Sequence, residues 1–164
     1  MQIANFKDMY IAELQELANM EGQLSEALLR MAEAASHDSL KDALMHHQKE
    51  TMVQKDRVLA ILKKHRANPK AHTDQAMQAL ISESEKMSSI LEGHELRDAG
   101  LIASAQKLEH YEIAAYGTAA ALAGQLNLRD DQDTLHASLD EERQADALLT
   151  KLAKSEVNQN ALAA

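Results

Sequence analysis

Apolar residues recur at intervals of three and four along nearly the whole chain, the period of helices that bury one face. The clearest run is Tyr10, Leu14, Leu17, Glu21, Leu24, Leu28 and Met31, a regular stripe broken once, at its centre, by an acid. A second stripe reads Leu40, Ala43, His47, Glu50, Gln54, Val58 and Ile61, with three polar residues on neighbouring turns. The third runs Ile102, Ala105, Glu109, Glu112, Tyr116 and Ala119, and the fourth Leu135, Leu139, Glu142, Asp146, Leu149 and Leu152. All four turn polar at mid-length.

The few helix breakers place the ends. One Pro and five Gly in 164 residues predict long helices over about 5–35, 39–65, 98–126 and 131–154, with Ser39 and Asp42 as a capping pair. A shorter helix capped by Thr73 runs to about Leu91 before Gly93, and the tail VNQNALAA reads as frayed. Short turns join the first pair and the last pair of long helices, whereas about thirty residues separate the pairs. Two antiparallel hairpins joined by one long crossover describe an all-α, ferritin-like four-helix bundle with an additional short helix in that crossover, a single domain over residues 1–164. The plainer reading is an all-α bundle with an extra helix on its side.

Composition narrows the setting. The chain is 45% hydrophobic, enough for a core that needs no staples, and it has no Cys, so disulfides and thiolate metal sites are excluded. The segment MQIANFKDMY shows neither a basic nor an apolar targeting region, and no apolar run approaches the roughly 18 residues of a membrane span. A soluble, cytoplasmic protein is expected, with no membrane partner. The formal net charge of −9, with Lys63, Lys64, Arg66 and Lys70 scattered among acids, argues against nucleic acid. Acidity of this kind usually marks a solvated surface and otherwise favours cations.

A single acid on a stripe is more often a tilted surface residue, but acids aligned on four helices change that reading. Burying an ionised carboxylate costs several kcal/mol, so the six at Glu21, Glu50, Glu109, Glu112, Glu142 and Asp146 together exceed the roughly 5 to 15 kcal/mol net stability of a domain. No Lys or Arg occupies a neighbouring stripe position, which leaves shared protons or bound cations as compensation. Carboxylates projecting inward from facing helices form di-iron or di-manganese sites in bundles of this connectivity. A degenerate internal repeat supports the cluster: EGQLSEALLRMA from Glu21 aligns with EIAAYGTAAALA from Glu112, and Glu50 and Glu142 follow these two Glu by 29 and 30 residues. His47 reads first as a supporting or partly exposed histidine and second as a ligand, and Gln54 as a hydrogen-bond partner of a bound carboxylate. His46 and His110 fall off the stripes, and His37, His65, His72, His94 and His136 fall near helix ends, where solvation is expected. The Met residues read as core filler.

The segments MEGQLSEALLRMA, HHQKETMVQKDRVL, AQKLEHYEIAAYGTAAALA and LDEERQADALLTKLA together resemble the YciE/YciF family of small bacterial ferritin-like proteins, on its YciF branch. The resemblance implies a dimeric, cytoplasmic, stress-associated protein with a rubrerythrin-like dinuclear site and no firmly established reaction. The wider rubrerythrin pattern carries over onto Glu21, Glu50, Glu109 with Glu112, and Glu142. It departs where that pattern has histidine, at Val53 (beside Gln54) and at Asp146. Loss of imidazole at these positions makes the shell harder and more anionic. Two metal ions are expected, Fe or Mn first, with Mg or Ca also compatible. Metal binding without established catalysis ranks first, a ferroxidase- or peroxidase-type oxidoreductase second, and a metal-free structural bundle third. Apolar residues beyond the stripes, Met9, Leu29, Met45, Met77, Leu80 and Ile81, predict a homodimer that covers part of them.

Overall fold

The computed structural model describes residues 3–164; Met1 and Gln2, the head of the MQIANFKDMY segment, lie outside the described residues. The long helices are α1 (Phe6–Ala34), α2 (Asp38–Lys64), α4 (His94–Gln125) and α5 (Arg129–Leu152), with the shorter α3 (Gln75–Ile90) in the crossover. The hairpins α1–α2 and α4–α5 pack through α1 against α4 and α2 against α5, and α3 lies along α4 and α1. Every apolar stripe residue of α1 is buried, as are Leu40, Val58 and Ile61 of α2, Ile102, Ala105, Tyr116 and Ala119 of α4, and Leu135, Leu139, Leu149 and Leu152 of α5. The bundle is therefore the predicted one. None of its helices, among the described residues, is long and apolar enough to cross a membrane.

Several ends differ from expectation for local reasons. Asn5 caps α1 by accepting from the Asp8 N–H at 2.9 Å. No side chain of its own strand caps α2: Ser39 and Asp42 lie inside the helix, and Asp98 of α4 instead accepts from the backbone N–H groups of Ser36 and His37 at 2.8 and 2.9 Å. Asp74 rather than Thr73 caps α3, accepting from the Met77 N–H at 2.8 Å, while Tyr111 of α4 donates to the same carboxylate. Gly93, at φ 83°, permits the bend that starts α4 four residues earlier than predicted. The tail does not fray at Lys154. The chain continues through a π turn (Ala153–Val157) into α6 (Asn158–Ala163), because Val157 is buried in the core. Met77 and Ile81, expected on an exposed face, are covered by the packing of α3, whereas Met9 and Leu29 stay exposed.

Candidate metal centre

Four side chains meet at mid-bundle. Each of His47 (α2), Glu109 and Glu112 (α4) and Glu142 (α5) offers one nitrogen or oxygen within 4.8 Å of those of the others, and all four are buried. His47 Nε2 lies 3.2 Å from Glu109 Oε1, 3.3 Å from Glu142 Oε2 and 3.9 Å from Glu112 Oε2. These are ion-pair distances without the alignment of hydrogen bonds. Both His47 ring nitrogens, both oxygens of Glu112 and of Glu142, and Glu109 Oε2 have no hydrogen-bond partner. Glu21 of α1 is equally buried; its Oε1 accepts a short hydrogen bond from the Tyr116 hydroxyl, and its Oε2 has no partner.

Electrostatics follows from this burial. Desolvation, reinforced by Glu112, pushes the Glu142 carboxyl up to about 11. Desolvation likewise lifts Glu112 to about 7, opposed by His47, and raises Glu21 well above the usual carboxylate range. For His47, burial opposes the charge, but the surrounding carboxylates, Glu109 foremost, outweigh it and hold the imidazole well above its ordinary value. Tyr116 is pushed upward by burial and by Glu21. Without a cation among them these acids must keep protons to remain inside.

The sequence-derived residues separate into an inner and an outer group. Glu109, Glu112 and Glu142 come together with His47, and Glu21 adjoins Glu112 closely enough to raise its own proton affinity. Glu50 does not enter this group. Its side chain is 31% exposed, with Oε1 3.3 Å from His46 Nε2 and Oε2 3.6 Å from His47 Nδ1; the His47 imidazole beside it, with His46, holds its pKa low. Asp146 turns aside as well: it accepts from Gln106 at 3.0 Å and lies 3.5 Å from His110.

Register explains the division. The inward line on α2 is Leu40, Leu44, His47, Thr51, Gln54, Val58 and Ile61, an unbroken alternation of four and three that places Ala43 and Glu50 one step to its side. On α5 the turn between Glu142 and Leu149 divides between Ala145, facing α2, and Asp146, facing α4. His47, read in the sequence first as a supporting residue, thus stands inside the cluster, and the stricter alternation was its signal. Gln54, fully buried, donates not to the cluster but to Glu141 at 3.0 Å. Glu141 is gripped by both guanidinium nitrogens of Arg57 at 2.6 and 3.0 Å, which ties α2 to α5 beside Glu142.

The donor set suits a divalent cation. Carboxylate oxygens and one imidazole accept Fe or Mn readily and Mg or Ca less specifically, and the orphaned atoms are the ones a cation would engage.

Comparison with known proteins agrees with this architecture. Protein YciF of Escherichia coli is 39% identical over 163 residues, covering 98% of this chain and 98% of that protein. The crystal structure of the E. coli stress protein YciF superposes with a TM-score of 0.90, covering 95% of this chain and 99% of that one. YcfI of Rhodopseudomonas palustris is 32% identical with a TM-score of 0.88, over 91% and 95% of the two chains. With residues 5–162 also matching the profile of a domain of unknown function, DUF892, the chain belongs to that family and is a YciF-like helical bundle.

Proposed function

We propose that this protein binds divalent metal inside its bundle, with His47, Glu109, Glu112 and Glu142 holding one ion. Glu21, through its free Oε2 beside Glu112, contributes to a second ion in a dinuclear centre. One observation carries the reading: buried carboxylates from two helices converge on a buried imidazole and leave their oxygens without hydrogen bonds, a state that costs stability unless a cation compensates it. The likeness to the E. coli stress protein YciF supports a role in stress response, and a cytoplasmic homodimer is part of the same reading. Exposed apolar side chains at Met9, Leu29, Met52 and Val53 supply surface for such a dimer.

A second reading, a di-iron or di-manganese oxidoreductase, is favoured by His47. The inner group is not all oxygen: its imidazole suits iron and its carboxylates suit manganese. Bound iron or manganese would supply one-electron redox chemistry. The chain's own residues His47, Glu109, Glu112 and Glu142 would hold the ion.

Reconstitution of chelator-treated protein with Fe(II) or Mn(II), followed by elemental analysis, tests the first reading. Up to about two ions per chain and a raised Tm are expected, since an ion at a thousand times its Kd adds about 4 kcal/mol. Protein that takes up no metal under any reconstitution returns the bundle to a structural role. Oxidation of many equivalents of Fe(II) per chain would promote the oxidoreductase.

A further inference from the structure

A pocket of about 240 Å³ opens between α2, α4 and α5 and reaches the centre from the surface. It exists because the two residues displaced from the inward lines are small: Ala43 on α2 and Ala145 on α5 leave space beside the cluster, with Leu148 at the side. Its floor is His47 and Glu109, both buried, with unpartnered polar atoms. Its outer wall carries His46 and Glu50.

These side chains form a graded series. His46 is 70% exposed, Glu50 is 31% exposed and His47 is 5% exposed. Each is within ion-pair distance of the next, at 3.3 and 3.6 Å, and His47 is 3.2 Å from Glu109. A cation moving inward therefore meets a nitrogen or oxygen donor at every step. With each water occupying about 30 Å³, six waters and their ion need roughly 200 Å³, so the pocket accommodates a hydrated divalent ion before it sheds its shell.

We propose that His46 and Glu50 form a loading site for divalent cations. The pair takes the hydrated ion from solvent, exchanges some of its waters for an imidazole nitrogen and a carboxylate oxygen, and passes it to His47 and the inner carboxylates. Glu50 is then a transfer ligand, not a resident one. This assignment rests on the metal-binding reading above, and it explains why a Glu on the helix that supplies His47 stays half outside the cluster.

The test is stopped-flow mixing of metal-stripped full-length protein with Co(II), whose visible absorption reports coordination, followed by elemental analysis at saturation. Release into excess chelator gives the reverse rate. His46→Ala and Glu50→Gln should each slow loading and release by about tenfold, leaving affinity and ions bound at saturation unchanged, because a transfer site alters the barrier and not the end state. His110→Ala, an exposed histidine on the Asp146 side, should load at the wild-type rate. Both test positions are at least partly solvated, and circular dichroism verifies the fold. Unchanged rates in His46→Ala and Glu50→Gln place entry elsewhere and overturn the loading site alone. Fewer ions at saturation, or weaker affinity, in Glu50→Gln makes Glu50 a resident ligand and overturns it too. Wild-type protein that takes up no Co(II), Fe(II) or Mn(II) removes the metal reading and the loading site with it.

Discussion

Two groups of buried carboxylates sit in this bundle and solve the same problem in opposite ways. Asp131, at the start of α5, is buried yet fully engaged: it accepts from Lys64 Nζ at 2.8 Å, from His65 Nε2 at 2.6 Å and from the Tyr10 hydroxyl at 3.2 Å. Burial pushes its pKa up, but the hydrogen bonds from Lys64 and His65 outweigh this and hold it below the ordinary aspartate value. At mid-bundle, Glu21, Glu109, Glu112 and Glu142 share one imidazole, and desolvation wins at Glu21, Glu112 and Glu142. The fold can neutralise a buried acid when it brings a cation or enough donors. It brings three donors to one Asp, but only one His and the Tyr116 hydroxyl to four Glu, and on the proposed reading a cation makes up the difference.

The largest effect should come from breaking the satisfied group. Asp131→Asn leaves Tyr10 and His65 without their charged acceptor and joins α1, α2 and α5 less firmly. A loss of about 3 kcal/mol is expected in urea denaturation, since removing one partner of a buried pair strands the other. A variant as stable as wild type would show the two groups to be energetically alike.

pH should separate them next. In metal-stripped protein Glu112 binds its proton more tightly folded than unfolded. Its contribution is therefore present below its unfolded value and is lost as pH rises through about 7. Glu112 alone should lower stability by an amount on the order of 2 kcal/mol between about pH 5 and pH 8, and Glu21, Glu142 and His47, whose proton affinities are also raised, act in the same direction. Asp131 has the opposite sign: its pKa is lowered, so its contribution is present above the unfolded value and is lost as pH falls below it. Denaturation curves from about pH 2 to pH 8 check both limbs, the Asp131 limb falling below the ordinary aspartate value of about 4. A metal-stripped protein that gains stability from pH 5 to pH 8 contradicts the account of Glu112.

Smaller changes sharpen the contrast. Glu142→Gln should leave metal-stripped protein as stable as wild type or about 1 kcal/mol more so, while abolishing the rise in Tm on adding Mn(II). Strong destabilisation without metal would mean that Glu142 is structurally compensated. Tyr116→Phe removes the one hydrogen bond to Glu21 and should cost about 1 kcal/mol by the same measurement, with the Mn(II) response retained.

How much of this was legible depended on how far each residue lay from a helix end and how regular its stripe was. On α1 the alternation is unbroken, so the central line of the buried face, Glu21 included, could be read directly. Glu109 and Glu112 differ by three and flank the inward line of α4, and both were found. On α2 two lines one residue apart, through Ala43 and Glu50 or through Leu44 and Thr51, fit the sequence comparably. His47 lies on both lines, so the choice between them decided whether Glu50 or Thr51 faced inward beside it, and packing against α5 settles it. Asp146 lies outside the cluster for the same reason, with Ala145 as its competitor. The Asp131 group was invisible because its members lie at helix ends, where periodicity stops, and its partners are 66, 67 and 121 residues away in sequence. His65, expected in solvent, has a side chain only 8% exposed.

The central claim, that buried acids at mid-bundle hold protons that a cation replaces, is tested most directly by calorimetric titration of metal-stripped protein with Mn(II) near pH 7 in buffers of different ionisation enthalpy. The slope of observed heat against buffer enthalpy counts protons released. With Glu142 protonated and Glu112 about half protonated at that pH, the account predicts release of about one proton or more per ion bound, and tighter binding as pH rises. Binding with no proton release, or no binding to wild-type protein at all, would contradict it.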